Sequence, residues 1–502
     1  MIFVLPCAMM AQGALDALRF SQYRYEGTAK SMAMGNAFTS LGGDSYAVSL
    51  NPASSAVYRY SEFVVTGALD IATSRVSYLN GIEPDNRAKF GLSNMGLIGY
   101  FPSSKRYSPV KGVSFGIAYN RLNNYNSRSY ASGREANSSW LGSLAFNTGG
   151  ISNNILNINN SWDPYTQTTA PWRSILAWNS NLLEPLLDFD SEYIGATENL
   201  YTDGTIGVAG SLLQDFMRET SGNLSEIVLN FGVNIEDFFY IGGNLSVQNI
   251  YFSDLQKYSE TAENPQLFTF MFSNFTHTYK QTTAGTGVNL KLGAILNPVT
   301  GLRIGASVST PNWLYLYDEW EEAINANYYD GWKTTLYSPI GEYNYRVTTP
   351  LRWNVGVSYV FGNAGLISVD YEGVDYSVIN MIDKGGDRRV FQDENRYIED
   401  NFTNASVLRA GLEVRPVSGF ALRAGYNLYT NPERWFGSDT HVVSCGIGLM
   451  GKKGVFADLG IQKRLNQEEA FSLYSDYDSI LAPIGIHKSS GLKILFSLGF
   501  RF

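Results

Sequence analysis

Few side chains in this sequence could carry out catalysis. It contains three histidines, His277, His441 and His487, and none has a second metal-ligating residue at a recognised spacing. The nucleophile motif GxSxG and the zinc motif HExxH are both absent. A hydrolase that relies on a Ser–His pair is the weaker alternative. We therefore predict that the protein is not an enzyme and has no cofactor.

The acidic and sulfur-containing residues do not indicate a metal site either. Asp476 and Asp478 lie close together and could contribute to a Ca²⁺ site, but solvated loop carboxylates are the simpler interpretation. Cys7 and Cys445 are too few for a disulfide framework or a four-ligand zinc site. We predict that no metal is bound.

The composition favours a large β-structure. The 502 residues include 37 Lys+Arg and 46 Asp+Glu, a net charge of −9, and charged residues make up 17% of the chain where ordinary soluble domains have about 25%. Aromatic residues reach 14%, with 49 Gly and 16 Pro. The acidic balance argues against nucleic acid as a partner, because such binding needs a basic face. Beyond the first dozen residues no apolar run reaches about 18 residues, which excludes a helical membrane span.

The first residues resemble the end of a secretory signal. Met1–Ala11 is apolar and ends in small residues, so cleavage is expected near Ala11 or Gly13. The segment is short and lacks a positively charged start. A lipoprotein acceptor at Cys7 is the less favoured alternative, since Pro6 fits that reaction badly. We assign residues 1–11 to a signal-peptide remnant.

The C-terminal segment has the alternation of a barrel strand. One face of a strand from Gly491 to Phe502 would carry only apolar side chains, namely Leu492, Ile494, Phe496, Leu498, Phe500 and Phe502. The opposite face would carry Lys493, Ser497 and Arg501 among small and apolar residues. A terminal strand that ends in Phe502 resembles the signal read by the outer-membrane barrel assembly machinery, which we expect as a partner. A strand of a soluble sandwich is the alternative.

The same alternation recurs along the chain and predicts fourteen strands. The second strand is ambiguous in phase. The predicted ranges are 62–73, 90–101, 111–122, 225–235, 238–252, 281–296, 300–310, 344–361, 364–376, 404–415, 419–429, 438–450, 453–465 and 490–502.

Short and long connections alternate between these strands. Glu236-Asp237 and Gly362-Asn363 are tight turns, whereas 123–224 and 377–403 are long. Transmembrane barrels separate short turns from long loops in this way, and a sandwich has no reason to do so. We therefore predict an all-β, fourteen-stranded antiparallel transmembrane barrel over 62–502. Its expected surroundings are outer-membrane lipid, and a monomer is expected.

The long connection 123–224 is predicted to be an extracellular loop insertion with helices over 174–189 and 205–219. We take its apolar side chains as a candidate outer binding site for a hydrophobic ligand. They are Trp172, Trp178, Leu182, Leu183, Leu186 and Leu187. Helices packed over the barrel mouth for stability are the equal alternative.

The residues before the first strand are predicted to form a plug. The segment 12–61 does not alternate, is rich in Gly and Ala, and ends in Asn51-Pro52-Ala53. A fourteen-strand barrel is wider than the eight-strand barrels that side chains alone can fill, so its lumen needs a filler. A periplasmic leader is the alternative interpretation.

These features together resemble the FadL/TodX-type outer-membrane transporters of hydrophobic compounds. The resemblance depends on the Gly/Ala-rich segment that ends in Asn51, Pro52 and Ala53 directly before the first strand, and on the strand count. It implies a hatch in the lumen and passive uptake of long-chain fatty acids or aromatic hydrocarbons. It also implies a Gram-negative outer-membrane location, with both mature termini expected to be periplasmic.

The resemblance further implies that ligand leaves sideways through the wall near the third strand. Gly112 and Gly116 would leave room there, although small residues facing the lumen could equally accommodate the plug. Two rival functions stay open at this point. One is a FadL-like barrel that serves protein secretion or surface attachment, and the other is a secreted all-β binding module.

Overall fold

The computed structural model describes residues 13–104, 107–158, 170–186, 190–435 and 437–502, so the predicted signal remnant 1–11 lies outside the described residues. The strands are β1 (Glu62–Tyr78), β2 (Gly81–Pro102), β3 (Val110–Asn124), β4 (Ser127–Arg134), β5 (Leu183–Pro185), β6 (Tyr193–Gly195), β7 (Glu198–Leu200), β8 (Ile206–Val208), β9 (Leu212–Ile235), β10 (Phe239–Ala262), β11 (Phe272–Val299), β12 (Leu302–Ser309), β13 (Trp313–Tyr328), β14 (Lys333–Tyr337), β15 (Gly341–Thr348), β16 (Arg352–Val360), β17 (Gly365–Asp375), β18 (Asn380–Asp383), β19 (Asn404–Val417), β20 (Phe420–Tyr429), β21 (Thr440–Met450), β22 (Val455–Ser472) and β23 (Ile484–Arg501). The α-helices are α1 (Ala14–Ser21), α2 (Ala29–Ala33), α3 (Ala47–Leu50), α4 (Trp140–Thr148), α5 (Asn153–Leu156), α6 (Trp172–Asn179) and α7 (Gln392–Asn401), with short 3-10 helices at Pro52–Val57, Pro265–Leu267, Tyr376–Val378, Arg389–Phe391 and Lys452–Gly454.

Main-chain pairing closes the large sheet into a barrel. β1 pairs antiparallel with β2 on one side and with the last strand, β23, on the other. Three wall strands consist of two successive pieces each, which are β3 with β4, β12 with β13 and β15 with β16. The wall therefore has 14 antiparallel strands, which confirms the predicted fold class.

The outer face of the wall is apolar. Of the side chains predicted to face lipid on the last strand, Phe496, Leu498, Phe500 and Phe502 are exposed, and Leu492 and Ile494 are partly exposed. On the opposite face, Leu495 and Ser497 are fully buried. Aromatic rings concentrate toward the two rims, as at the interfaces of membrane barrels. Trp313, Trp353 and Tyr371 lie toward one rim, and Phe63, Phe101, Phe361 and Phe502 lie toward the other. None of the described helices is long and apolar enough to cross a membrane, a result that does not bear on the strands.

Most of the longer connections lie at one end of the barrel, which we call the loop end, and short turns lie at the turn end. Several strands extend farther toward the loop end than predicted. β9 begins at Leu212, so the helix predicted over 205–219 is wrong. Beyond the lipid both faces of such a strand carry a mixture of polar and apolar residues, and the apolar alternation that marks a membrane strand disappears. The insertion between β4 and β9 is correspondingly reduced to 135–211.

A β-bulge explains the ambiguous phase of the second strand. Thr66 pairs with Asn94 and the next residue, Gly67, pairs with Leu92, so Ser93 is an extra residue in β2. Ser93 and Asn94 are both fully buried. The exposed large apolar residues of β2 therefore have even numbers before the bulge and odd numbers after it. The hydroxyl of Ser93 donates to the Gly27 carbonyl at 2.8 Å.

Residues 13–61, which we call the N-terminal segment, fill the lumen. Nearly all of them are buried, and they contact wall strands around the whole circumference, which is possible only from inside a closed barrel. Hydrogen bonds join Ala29 to Ser497, Ala33 to Ser444, Thr39 to Asp370, Ser45 to Asn94, Val48 to Asn244 and Leu50 to Ser307. The predicted start of the wall strands at residue 62 coincides with the start of β1.

Buried ion pairs also hold the segment. Glu26 is fully buried and pairs with both Arg121 and Lys493, and Arg121 also reaches Asp70 at 2.6 Å. Removing one partner from such a cluster would leave an uncompensated buried charge, which typically costs about 3–5 kcal/mol. The segment is therefore fixed at specific positions of the wall.

The two ends of the described chain lie at different heights of the barrel. Phe502 exchanges main-chain hydrogen bonds of 3.0 Å with Ser61 at the turn end. Gly13 lies within the lumen toward the loop end, because α1 buries Phe20 against Tyr125 and Phe252. The periplasmic orientation of both mature termini stays a prediction.

The close approach of segment and wall can be tested at Gly425. A Cβ at this position of β20 would collide with the main chain of Met34 and Gly35. We expect Gly425→Val to displace the segment and to raise the ion conductance of the protein in planar bilayers. Gly243→Val is the matched control, since its Cβ would face lipid and meet its nearest atom, in Leu292, at 3.5 Å. Equal conductance of the two variants would contradict the packing described here.

Candidate ligand cavity and lateral seam

A cavity of about 980 Å³ lies above the N-terminal segment, toward the loop end. Trp140, Phe216 and Phe471 line its upper part, where aromatic rings predominate. Its lower part is lined by Arg24 of the N-terminal segment and Arg464 of β22. The volume is within the range of small-molecule sites, and the two parts differ in polarity as the two ends of an amphipathic molecule do.

The two arginines at the lower end form no close ion pair. Neither guanidinium has a carboxylate at ion-pairing distance among the described residues, although Glu469, which also lines the cavity, interacts electrostatically with both. A chain of side-chain hydrogen bonds links them instead. Arg24 donates to the Thr440 hydroxyl at 3.5 Å, Gln467 donates to the same hydroxyl at 2.6 Å, and Arg464 donates to the Gln467 carbonyl at 2.7 Å. Two cations held close together in a partly enclosed space favour an anion between them.

The roof of the cavity is a packed cap. We use this name for the described residues of 135–211 together with 263–271 and 473–483. Its apolar side chains share one core with the loop-end residues of β10, β11 and β13. Ser139 caps α4, and Glu260 of β10 accepts hydrogen bonds from the Ser139 hydroxyl at 2.6 Å and from the Trp140 main chain at 2.8 Å. The cap is thereby attached directly to the wall.

The apolar residues predicted to bind ligand belong to this cap. Leu182 and Leu183 are buried in its core, and Leu186 is partly buried. Trp172 is the first residue of α6, and the indole N–H of Trp178 donates a hydrogen bond of 2.9 Å to the side-chain carbonyl of Asn157. Both tryptophans are partly buried and pack against the core of the cap, and Leu187 lies outside the described residues. The packing corresponds to the alternative of helices that stabilise the barrel mouth, and ligand contact at these residues stays a prediction.

Asn51, Pro52 and Ala53 lie at the interface between the segment and the wall. Asn51 accepts a hydrogen bond from the Ala53 main chain at 3.0 Å and so caps the 3-10 helix that Pro52 begins. Its amide donates to the carbonyl of Thr39 at 2.7 Å and to that of Ala294 in β11 at 3.1 Å. One side chain thus joins two parts of the segment to the barrel.

The wall is intact at the two glycines predicted to mark a lateral opening. Gly112 pairs with Pro102 on one side and Asn234 on the other, and Gly116 likewise pairs on both sides. A side chain at Gly116 would collide with Ile98, so these glycines accommodate close packing inside the wall.

The main-chain pairing between β2 and β3 stops nearer the loop end of the barrel. Pairing between β2 and β3 ends at Asn94 and Asn120. Toward the loop end β2 pairs only with β1, and β4 pairs only with β9. We call this interruption, between 81–93 of β2 and 121–134 of β3 and β4, the lateral seam. Asn124 and Asn126 beside it line the cavity.

The seam arises because the third wall strand turns inward. Leu122 is an extra residue in its pairing with β9 and is fully buried. The carbonyls of Arg121 and Leu122 accept hydrogen bonds from the main chain of Glu26 at 2.9 Å and of Arg24 at 2.8 Å. The N-terminal segment therefore replaces β2 as the partner of this strand. On the other side of the seam, Phe90 and Leu92 of β2 are exposed on the lipid-facing side.

A smaller cavity of about 430 Å³ lies at the turn end, below the segment. Its lining combines charged side chains, among them Lys30, Glu62, Glu413 and Arg501, with apolar ones such as Phe420 and Phe456. Glu413 and Glu62 are paired with arginines, Glu62 with Arg501 at 2.8 Å. An apolar molecule that entered this space would lie beside these buried charges.

Each of the three histidines is hydrogen-bonded to a residue of the wall. His277 lies on β11, His441 on β21 and His487 on β23. His277 is hydrogen-bonded to Glu322, His441 to Tyr426 and His487 to Ser74. Within the described ranges no group of three or more His, Cys, Asp or Glu residues could hold a metal ion.

The fold has counterparts among solved structures, although no protein-family model and no curated protein sequence matches this chain. A FadL homologue from Pseudomonas aeruginosa superposes with a TM-score of 0.56 and 12% identity, covering 95% of this chain and 98% of that one. The toluene transporter TodX of P. putida gives 0.52 and 13%, and TbuX of Ralstonia pickettii, also a toluene transporter, gives 0.50 and 12%, each covering 95% of this chain and 99% of the other. The chain therefore has the fold of FadL/TodX-type barrels.

Sequence reasoning missed the residues that define the cavity. Arg24 was an unassigned residue of the plug, and Arg464 was a polar position near a strand end. The seam did leave a signal: after Asn120 the alternation of the third strand gives way to a polar run, RLNNYN, over 121–126. Such a run directly after a membrane strand indicates that the strand has left the lipid-facing wall.

Glu198 makes the cap sensitive to pH. It is 2% exposed, and burial raises the pKa of its carboxyl to about 7, although the Tyr477 hydroxyl donates to it at 2.9 Å. The ordinary value is 4.5, so ionising Glu198 costs less when the cap is open. The free energy that favours the closed cap is therefore at its maximum when the pH is below 4.5, and it declines as the pH rises toward about 7. Above that pH it is lower by at most about 3 kcal/mol.

We expect Glu198→Gln to remove this dependence, since glutamine can still accept from Tyr477 but cannot ionise. Amide hydrogen exchange of α4, corrected for intrinsic rates, should show protection that declines from about pH 5 to about pH 8 in the wild type and stays level in the variant. Glu263→Gln, at an exposed cap residue, is the control. Protection that is independent of pH in the wild type would contradict the assignment.

Proposed function

We propose that the protein is a passive outer-membrane channel for hydrophobic small molecules and has no catalytic activity. Ligand enters beneath the cap at the extracellular loop end, occupies the cavity above the N-terminal segment, and leaves through the lateral seam into the membrane. The segment acts as the hatch that separates this cavity from the periplasm.

The observation that carries the proposal is the contact between the cavity and the interrupted wall. Asn124, Asn126 and Ser127 belong both to the inward-turned strand and to the cavity lining. A molecule in the cavity is therefore one strand away from the lipid that surrounds Phe90. The route downward is blocked by the buried segment and continues into a charged space. Lateral release is the path of lower desolvation cost for an apolar molecule.

The arginine pair favours one of the two predicted ligand classes. Arg24 and Arg464 offer two guanidinium groups, with Glu469 as the nearby carboxylate, at one end of the cavity. Trp140, Phe216 and Phe471 offer apolar surface at the other end. This arrangement suits an amphipathic anion such as a fatty acid better than a neutral hydrocarbon. The compared transporters from P. putida and R. pickettii are named for toluene. We infer that the present protein differs from them in preferring an acidic group on its ligand.

The transport proposal can be tested in cells that lack the gene. Strains with and without a plasmid copy are supplied with radiolabelled dodecanoate or toluene, and the initial rate of uptake is measured. We expect the plasmid copy to raise dodecanoate uptake more than toluene uptake. Equal rates with and without the protein, for both probes, would overturn the proposal.

Binding to the purified protein in lipid nanodiscs tests the arginine pair. We expect Arg24→Gln and Arg464→Gln each to weaken dodecanoate binding by about tenfold, the loss expected for a hydrogen bond to a charged group, and to leave dodecanol binding unchanged. Arg389→Gln is the control, because Arg389 is exposed and pairs only with Asp387. An equal loss for acid and alcohol would show that the arginines support the fold and do not select the ligand.

A further inference from the structure

The lateral seam is bridged by charged side chains. Asp85 of β2 accepts two hydrogen bonds from Arg128 of β4, at 2.7 and 2.9 Å. Arg87, two residues along β2, pairs with Glu219 of β9 at 2.8 Å and donates to the carbonyl of Ser127 at 3.2 Å. These contacts connect the two sides of the wall where main-chain pairing is missing.

The bridge lies at the level where the lipid-facing band ends. Asp85 pairs across the β1–β2 hairpin with Ser74, and Arg87 pairs with Ala72, whereas Phe90 pairs with Leu69 in the apolar band below. Lys89, between them, donates to the side-chain carbonyl of Asn126 at 3.0 Å. The charged contacts therefore stand just above the part of the seam that faces the outer half of the membrane.

At the seam, side-chain contacts take the place of a main-chain ladder. β22 and β23, in contrast, share main-chain pairs along nearly their whole length. At the seam the ion pairs are partly exposed. The accessible fractions are 42% for the Arg128 side chain and 16% for Asp85 in one pair, and 20% for Arg87 and 34% for Glu219 in the other. Exposed ion pairs are individually weak and are screened by salt, whereas ladder hydrogen bonds are not. Separation of the β1–β2 hairpin from β4 would break no main-chain pair, but it would also part Val76 and Tyr78 from Ala131 and break the hydrogen bond of 2.7 Å from Tyr78 to Gln214 of β9.

We propose that the Asp85–Arg128 and Arg87–Glu219 pairs form an ionic latch that keeps the lateral seam closed and regulates release of ligand into the membrane. This inference rests on the proposed function for its effect on release. The predicted movement of the hairpin depends only on the latch and not on the proposed function. High ionic strength or loss of the acidic partners opens the seam, and the barrel stays closed everywhere else.

The position of the hairpin can be measured with two spin labels across the seam. Ala88→Cys and Ser129→Cys are introduced after Cys445→Ser removes the exposed native thiol. Dipolar broadening is recorded in lipid vesicles at about 0.1 M and about 1 M salt, where the Debye length falls from about 10 Å to about 3 Å. We expect the broadening to decrease at high salt in the otherwise unchanged protein, and to be reduced at both salt concentrations when Asp85→Asn and Glu219→Gln are combined.

Release is measured on the same vesicles with cis-parinarate, a fluorescent polyene carboxylate. We expect Asp85→Asn with Glu219→Gln to accelerate its dissociation about threefold to tenfold, the range for the loss of two exposed ion pairs. The control is Lys488→Gln with Glu468→Gln, which removes an exposed pair of 2.6 Å between β23 and β22, where the ladder is continuous. The charge exchange Asp85→Arg with Arg128→Asp should restore the broadening and slow release, which also shows that the variants fold.

Each outcome decides one of the two proposals. Label separations that do not respond to salt or to the acidic substitutions would overturn the latch. Labels that separate while parinarate dissociates at the wild-type rate would overturn its role in release. Absence of parinarate binding to the unmodified protein would count against the proposed function, and the label measurement would still test the latch by itself.

Discussion

The structure depends on one constraint, that main-chain N–H and C=O groups facing lipid must be paired within the protein. The pairing of β1 with β23 satisfies it by removing both edges of the sheet. Fourteen strands enclose more space than their own side chains fill, so the closed wall requires an occupant. The N-terminal segment is that occupant, and its buried polar side chains and the charges of the inner wall satisfy one another, as Glu26 does with Arg121 and Lys493.

The same constraint explains why the interruption in the wall and the filling of the lumen occur together. Where the third strand leaves β2, its carbonyls at Arg121 and Leu122 would lose their partners. The main chain of Glu26 and Arg24 supplies the missing donors from inside. The inward turn is therefore possible only with the segment in place. Arg24, brought to this position by that pairing, also presents its side chain to the cavity.

Much of this architecture could be predicted from the sequence, and the exceptions have physical causes. Alternation located the membrane parts of the strands because lipid imposes it on every second side chain. It failed at Ser93, where an added residue shifts the phase, and over 212–224, where β9 leaves the lipid and both faces mix polar and apolar residues. The cavity could not be predicted in this way. Arg24 and Arg464 are distant in sequence, and their proximity is set by the packing of the segment, which leaves no periodic pattern.

The hydrogen bonds between Ser61 and Phe502 have a consequence for biogenesis. They place the point where the N-terminal segment passes into the wall directly beside the junction at which the first and last strands meet. Strand β23 follows the other wall strands in the chain, so the circle cannot be completed until all of them have been delivered. Since Ser61 joins the segment covalently to β1, the attachment of the segment to the wall and the closure of the wall share one point at the turn end.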